Sequence, residues 1–280
     1  MALKKTRTGW RRYINGLTIA TTVTVLFVIL PLLWMISSSF KGPRSIATSK
    51  WVPDPWTTVN YQNAFTHYTF TRYIINSVVI SVCATALVLV LGIMAGYALG
   101  RLPMRNKLPL MVALLMISVF PAIAVIAPMY LLMKTIGWLN SYQALILPYA
   151  AFNLPFAIWI LRNYFLGIPK EMEETGRIDG ASPLRTVWSI VLPQAKPGVF
   201  TAGIFTFTAC WTEFLMALSF NSENNFRTIP VGIALFGSQF TVPFGTIFAA
   251  SCVAAVPIGA LVLIFRRSVV SGLTSGAVKG

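Results

Sequence analysis

The sequence predicts an all-α integral membrane protein with six transmembrane helices. Hydrophobic residues make up 56% of the 280 residues and charged residues only 10%, whereas soluble domains carry about 25% charged residues. A helix needs roughly 20 mostly apolar residues to cross a bilayer. Six segments meet this requirement: residues 16–36, 74–99, 108–133, 144–161, 198–220 and 245–265.

The first apolar segment has two possible interpretations. Five basic residues lie within residues 1–15 before it, as they also do in a secretory signal peptide. However, the apolar run is longer than that of a signal peptide, and "PLLWMISSSF" after it offers no small-residue cleavage site. We therefore expect residues 16–36 to be a retained transmembrane helix.

The basic residues predict the orientation of the chain. Sixteen of the 22 lysines and arginines fall in the N-terminus, the 100–107 loop, the 162–197 loop and the C-terminal tail with Arg266 before it. Loops rich in lysine and arginine face the cytoplasm. The sequence thus predicts a cytoplasmic N-terminus (1–15), an external loop (37–72), a transmembrane domain (73–266) with a cytoplasmic loop (167–197), and a cytoplasmic tail (267–280).

The net charge of +15 alone would also be compatible with a nucleic-acid partner. The basic residues are scattered in short clusters between apolar runs, which favours contact with anionic lipid instead. We expect the lipid bilayer, and no nucleic acid, to be a partner.

Few residues of this chain are suited to catalysis or metal binding. Cys83, Cys210 and Cys252 lie within apolar runs, and His67 is the only histidine, so neither a disulfide framework nor a metal site is expected. No lysine follows a glycine, which excludes the Gly-Lys pair of a phosphate-binding loop. The chain is predicted to be no enzyme and to bind no cofactor itself.

The stretch "EETGRIDGASPLRTVWSIVLP" (173–193) is the most polar part of the second half. Pro169 suits the first turn of a helix, and three glutamates follow it near the positive end of the helix dipole. Gly180 is suited to the left-handed residue that ends a helix.

Ser182 and Pro183 predict the start of a second helix. Its apolar residues recur at helical spacing and predict one buried face: Leu184, Val187, Trp188 and Val191. Pro193 ends it. From the residues alone, this helix-turn-helix is either an amphipathic connector on the membrane surface or a polar projection that docks a cytoplasmic partner.

Polar residues inside the predicted spans are the candidates for a transport pathway. Glu213 is the only acid within a span, and such a residue marks a functional or paired site. It either lines the pathway, with Trp211 offering a face for sugar stacking, or pairs with a group of a partner subunit. Asn76, Asn153 and Gln239 either bind hydroxyl groups or bridge helices.

The 173–193 stretch resembles the "EAA" loop of permease subunits of binding-protein-dependent ABC importers. The matching residues are Glu173, Glu174, Asp179, Gly180, Ala181, Ile190, Leu192 and Pro193. Thr175 and Gly176 stand where this family usually has alanines. Three further segments are similar to the smaller maltose-type permease of the carbohydrate branch: "ILPYAAFNLPFAIWILRNYF" (146–165), "CWTEFLMALSF" (210–220) and "SGLTSGAVKG" (271–280).

The resemblance implies a type I ABC importer permease fold in which the loop is a coupling helix seated in a cytoplasmic ATPase. The implied coupling residues are Glu173, Glu174, Thr175, Gly176, Asp179, Gly180 and Ala181. Glu173 and Glu174 would contact the ATPase, Asp179 would brace the turn at Gly180, and Gly176 would leave a smaller contact surface than alanine. The tail ending in Gly280 would reach the same interface.

The resemblance also implies the partners and the location. They are a second, different permease subunit, a dimer of ATPase subunits that bind ATP and Mg, and an extracytoplasmic sugar-binding protein. The complex would lie in the cytoplasmic membrane of a bacterium or archaeon, with both termini of this chain cytoplasmic. The chain would form half of the translocation pathway.

The expected substrate is a disaccharide such as trehalose or maltose, with glycerol 3-phosphate as an alternative. Two other classes of function stay open from the residues. An ion-driven secondary transporter would depend on Glu213, and a membrane-embedded enzyme would need a cluster that His67 alone does not supply.

Overall fold

The computed structural model describes residues 16–237 and 242–265. Within these ranges the regular structure is helical, apart from one isolated antiparallel bridge between Lys41 and Trp56. The first helices are α1 (Gly16–Ser39), α2 (Val59–Thr66), α3 (Phe70–Arg101), α4 (Lys107–Val119), α5 (Ala122–Thr135) and α6 (Gln143–Leu166). The prediction of an all-α protein is confirmed.

Of the remaining elements, α10 and α13 are long and the others have eight residues or fewer. In chain order, these elements are α7 (Glu171–Ile178), α8 (Pro183–Arg185), a π-helix (Thr186–Val191), α9 (Leu192–Gln194), α10 (Lys196–Thr212), α11 (Leu215–Phe220), a 3₁₀ turn (Asn224–Phe226), α12 (Ile229–Ala234) and α13 (Phe244–Ile264). The π-helix is continuous with α8 and α9, so residues 183–194 form one helical stretch.

Four of the six predicted spans are single helices that are long and apolar enough to cross a membrane: Thr18–Ser39, Phe70–Arg101, Gln143–Leu166 and Phe244–Ile264. The third predicted span, 108–133, is divided into α4 and α5, which meet at a bend of 85°. Phe120 is extended at the bend, because a residue before proline is driven out of helical conformation, and Pro121 is extended as well.

The fifth predicted span, 198–220, is also divided. Helix α10 ends at Thr212, Glu213 is extended with a ψ of 134°, and α11 begins at Leu215. With 17 residues, α10 is slightly short of a full span. Two of the six predicted spans, 108–133 and 198–220, therefore each contain a break.

The chain divides into two compact units. Of the described residues, the first contains 16–68 together with 236–237 and 242–253. Here the loop after α1 is held by aromatic and polar contacts: the Trp34 and Trp51 rings are 5.0 Å apart, and the Asn60 amide donates to the backbone oxygens of Ser39 and Lys41. The predicted external loop thus contains ordered structure, including α2.

Of the described residues, the second unit contains Thr69–Leu235 and 254–265. Its centre is the close packing of α3 against α6. Gly92, Gly96 and Gly100 repeat every four residues along α3, and side-chain or backbone atoms of α6 lie within 3.1 to 3.6 Å of the position of each missing Cβ. Small residues at this spacing let two helix backbones approach closely.

Candidate coupling segment and intramembrane polar cluster

We call the stretch from Glu171 to Pro193 the coupling segment. It begins with helix α7, which carries three glutamates in its first turn. The helix ends in a left-handed residue, Gly180, with a φ of +78°. The Ala181 N–H donates to the Gly176 oxygen over 2.9 Å, which is the bond that closes a helix ending in a left-handed glycine. The Ser182 hydroxyl then accepts from the Arg185 N–H at 3.4 Å and caps the next helix. The helix-turn-helix is formed, but Pro193, which was predicted to end the second helix, lies inside α9, because proline is tolerated in the first turn of a helix.

Glu173 points into its own protein. It is only 6% exposed, and its carboxylate lies 2.8 Å from Nε of Arg101 at the end of α3. The Tyr97 hydroxyl donates to the other carboxylate oxygen over 2.9 Å. Arg101 also donates to the backbone oxygen of Ile168. The carboxylate predicted to contact an ATPase is thus engaged within this chain.

Glu174, the next residue, has the opposite environment. It is exposed, as are Thr175, Asp179 and Gly180. Among the described residues no side-chain hydrogen bond of Asp179 is present, so the turn is held by backbone bonds rather than by the predicted brace. Neighbouring residues on a helix point about 100° apart, which separates an inner face containing Glu173 from an outer face containing Glu174.

Gly176 lies on the inner face as well. It is buried, and a Cβ at this position would be 2.2 Å from Cδ1 of Ile190 in the π-helix. Glycine stands here in place of the family's usual alanine, and the side chain of Ile190 fills the space that the alanine methyl group would occupy. Gly176 does not leave a smaller outward contact surface, as the sequence had suggested, because it faces the protein.

Only half of the apolar stripe predicted on the second helix is buried. Val187 and Val191 are buried, whereas Leu184 is 58% and Trp188 is 42% exposed. The prediction assumed 3.6 residues per turn, but residues 186–191 form a π-helix. Bonds from i to i+5 place more residues in each turn, so side chains spaced for an α-helix do not line up on one face.

Glu213 occupies the break between α10 and α11. Its carboxylate accepts from the backbone N–H groups of Met216 (2.8 Å) and Ala217 (3.1 Å), and from the Tyr149 hydroxyl (2.5 Å). It thereby caps the N-terminus of α11 and ties it to α6. Three neutral donors satisfy the acid within one chain, which explains how a carboxylate is accommodated inside a predicted span.

The other pathway candidates have separate environments. Asn153 donates to the Tyr149 backbone oxygen at 2.8 Å, close to the Glu213 cluster. Trp211 is 3% exposed, and its indole N–H donates to the Ala254 oxygen, so its ring is not an open stacking face in this chain. Gln239 lies outside the described residues.

Asn76 is fully buried and far along α3 from the coupling segment. Its amide donates to the backbone oxygens of Asn225 and Arg227 at 2.9 Å each, and its oxygen accepts from the Tyr142 hydroxyl. The Ser77 hydroxyl accepts from the Ile229 N–H at 2.8 Å. Asn76 therefore fastens the 224–229 loop to α3, which is the bridging alternative considered from the sequence.

Three residues of these sites were missed from the sequence. Tyr97 and Arg101 are four residues apart, a spacing that places two side chains on one helix face, and this pair could have been matched with one of the seven acids of the chain. By sequence, Arg101 is one of the basic residues that predict a cytoplasmic loop. Nothing in the sequence indicated that Tyr149 binds Glu213, since a tyrosine within an apolar helix can serve equally well in packing.

Comparison with known proteins identifies the family. Residues 88–275 match the family described as "Binding-protein-dependent transport system inner membrane component". This protein belongs to that family.

Curated relatives cover nearly the whole chain. The trehalose transport system permease protein SugB of Mycobacterium tuberculosis is 40% identical over 92% of this chain and 95% of that protein. The trehalose/maltose transport system permease protein MalG of Thermococcus litoralis is 36% identical over 94% and 96%. The sulfoquinovosyl glycerol transport system permease protein SmoH of Agrobacterium fabrum is 36% identical over 94% and 93%.

A solved structure is similar as well. A bacterial ABC transporter involved in the import of the acidic polysaccharide alginate has a chain that superposes with a TM-score of 0.77, covering 89% of this chain and 93% of that one at 18% identity. At this identity the likeness shows the fold alone. The predicted permease fold is confirmed.

Proposed function

We propose that this protein is the transmembrane permease subunit of an ATP-driven sugar importer, with a disaccharide such as trehalose as its substrate. The three relatives described above are each named for the transport of a glycoside, and two of them for trehalose. The assignment of the sugar rests on those names, since the described pathway candidates, Glu213, Trp211, Asn153 and Asn76, are occupied by bonds within this chain.

Helix α7 supplies the docking element for a separate ATPase subunit. The observation that carries this role is the division of the two neighbouring glutamates: Glu173 is buried and ion-paired, while Glu174 is exposed. A helix of eight residues would be marginal by itself. Its buried anchor holds it in one orientation, so the exposed face can fit a rigid partner at little entropic cost.

The remaining parts of the proposal follow from the family and from the distribution of charge. A second permease completes the pathway, a dimer of ATPase subunits binds ATP and Mg, and an extracytoplasmic protein delivers the sugar. Lysine and arginine are in excess around α7 and at both termini. This excess favours a cytoplasmic location for α7 and for both termini.

The docking role is tested by recovery of the ATPase subunit. The chain is expressed with its neighbouring genes, and Glu174→Arg is compared with the wild type in detergent. Reversing an exposed interface charge should reduce ATPase recovery by about tenfold or more. Asp54→Arg, the same charge change at an exposed residue of the predicted external loop, serves as the control and should leave recovery unchanged.

The failure of this proposal would be visible in the wild type. If no ATPase subunit is recovered under conditions that keep the complex intact, the chain is not an ATP-driven permease. Uptake by reconstituted vesicles then decides the alternative: dependence on an ion gradient rather than on ATP would indicate a secondary transporter.

The substrate is tested with the same vesicles. We expect ATP-dependent uptake of labelled trehalose or maltose when the sugar-binding protein is present. Uptake of glycerol 3-phosphate, with no uptake of either disaccharide, would contradict the assignment of the substrate and leave the transport mechanism intact.

A further inference from the structure

One cluster of charged residues is not explained by docking. Arg101, Glu173 and Tyr97 form a buried group at the end of α3, and the side chains of Arg101 and Glu173 are only 5% and 8% exposed. Burying an ion pair costs desolvation energy that its attraction often does no more than offset. A packed apolar pair would hold α7 equally well, so stability alone is a weak reason for these residues.

The geometry makes this cluster a direct connection between α7 and α3. Arg101 binds the Glu173 carboxylate and also the backbone oxygen of Ile168, so one guanidinium holds both α7 and the linker that leads into it. Tyr97, one turn earlier on α3, binds the same carboxylate. A displacement of α7 therefore has to move the end of α3 or break a buried ion pair.

Helix α3 carries such a displacement to the opposite end of the unit. It runs without interruption through 32 residues, which corresponds to about 48 Å. At its other end, Asn76 and Ser77 hold the 224–229 loop through three hydrogen bonds to its backbone, and Tyr73 binds Asn224. Both ends of one rigid helix are thus fastened by buried polar side chains.

We propose that Arg101, Glu173 and Tyr97 are positioning residues that transmit motion of the coupling segment to α3, and through α3 to the 224–229 loop. This inference rests on the proposed function, because it takes α7 as the element that an ATPase moves. It assigns the two glutamates different tasks: Glu174 docks the ATPase, and Glu173 links the docked helix to the membrane helices.

The test measures transport per ATP hydrolysed in the complete complex, reconstituted in vesicles with its sugar-binding protein. Glu173→Gln keeps the size of the side chain and an acceptor for Tyr97 but removes the charge that binds Arg101. We expect normal ATPase recovery, retained ATP hydrolysis and a fall of about tenfold in transport per ATP. Glu171→Gln, at an exposed position of the same helix turn, is the matched control and should leave this ratio unchanged.

Two further variants guard against a simple loss of folding. Tyr97→Phe removes only one hydroxyl and leaves the ion pair in place, so the ratio should fall by about threefold in a correctly inserted complex. The exchange of charges in Arg101→Glu with Glu173→Arg should recover part of the ratio that Glu173→Arg alone loses. A residue that served only to keep the chain folded would change the yield of the complex and not this ratio.

Several results would overturn the inference. Loss of ATPase recovery in Glu173→Gln, as in Glu174→Arg, would show that Glu173 contacts the ATPase itself. Transport per ATP close to the wild-type value in Glu173→Gln would show that the cluster transmits nothing. If Glu173→Gln does not insert into the membrane, the same result in Tyr97→Phe would show this. Failure of the wild type to recover an ATPase is a different result, because it removes the proposed function and this inference with it.

Discussion

The coupling segment and the break at Glu213 each contain a carboxylate that accepts from a tyrosine hydroxyl, yet the two acids are held in different ways. Glu173 binds Tyr97 and the guanidinium of Arg101. Glu213 binds Tyr149 and two backbone N–H groups at the start of α11. In the first region the negative charge meets a full positive charge, and in the second it meets only dipoles.

The difference shows how the partner determines the role of a carboxylate. An ion pair joins two side chains from separate helices and resists separation, because each charge would be left buried alone. A helix cap joins a side chain to the backbone of its own neighbourhood and so fixes where a helix begins. The first arrangement suits a connection between moving parts, and the second suits a defined break in a span.

The largest effect is expected when the ion pair loses one partner. Arg101→Met leaves the Glu173 carboxylate buried and uncompensated, which should destabilise the protein by about 3–5 kcal/mol. The midpoint of thermal unfolding in detergent measures this. Arg105→Met, at an exposed arginine nearby, should change the midpoint little.

A second substitution makes this prediction sharper. Adding Glu173→Met to Arg101→Met removes the remaining charge and should restore most of the lost stability, since apolar pairs often replace buried ion pairs without cost. A double variant less stable than Arg101→Met alone would contradict the account of Glu173 as a paired charge.

A smaller loss is expected at the Glu213 break. Glu213→Ala removes the cap of α11, worth about 1 kcal/mol, and leaves the Tyr149 hydroxyl without its acceptor, worth about 1 kcal/mol more. Glu213→Gln keeps an acceptor and should cost about half as much. A double-mutant cycle with Tyr149→Phe measures the coupling between the two side chains, and a coupling near zero would show that their hydrogen bond contributes nothing.

The smallest effects are expected for one substitution made at two glycines of the coupling segment. Gly180→Ala places a Cβ in a left-handed conformation, with open space around it, and should cost about 1 kcal/mol for the backbone alone. Gly176→Ala gains about 1 kcal/mol of helix propensity but pushes on Ile190, so its net effect should be near zero. The midpoint of thermal unfolding in detergent distinguishes the two.

Ile190 supplies the control for the second glycine. Ile190→Val removes the Cδ1 that lies 2.2 Å from the missing Cβ. Gly176→Ala should therefore stabilise the protein more in an Ile190→Val background than in the wild type. An equal effect in both backgrounds would mean that the two positions do not share one packed site.

Much of the fold could be predicted because its signals are local. The length of an apolar run identifies α3, α6 and α13 as spans, and the sequence of Pro169, Gly180 and Ser182 predicts the helix-turn-helix from capping chemistry. The breaks inside two spans could not be predicted from such local signals. At Pro121 a breaking residue was present, but proline also occurs inside α6 without ending it.

The site was predicted in outline and not in orientation. The sequence identified the coupling segment and Glu213, but it could not say that Glu173 turns inward while Glu174 turns outward. That choice depends on Arg101, which is 72 residues away along the chain and reaches Glu173 only because α3 and α6 pack closely. The orientation of α7 also depends on the π-helix that it packs against, and no residue pattern predicted a π-helix.

The sequence by itself determined that this is a helical membrane protein, which runs are apolar enough to span a membrane, and which polar segment links the fourth predicted span to the fifth. These properties arise from composition, run length and capping, each of which acts over a few residues. Only the tertiary structure decided which glutamate is buried, which face of the coupling segment is free, and what satisfies Glu213 within the bundle. Those outcomes depend on side chains brought together from distant helices, where burial makes every unpaired charge costly and therefore selects one arrangement.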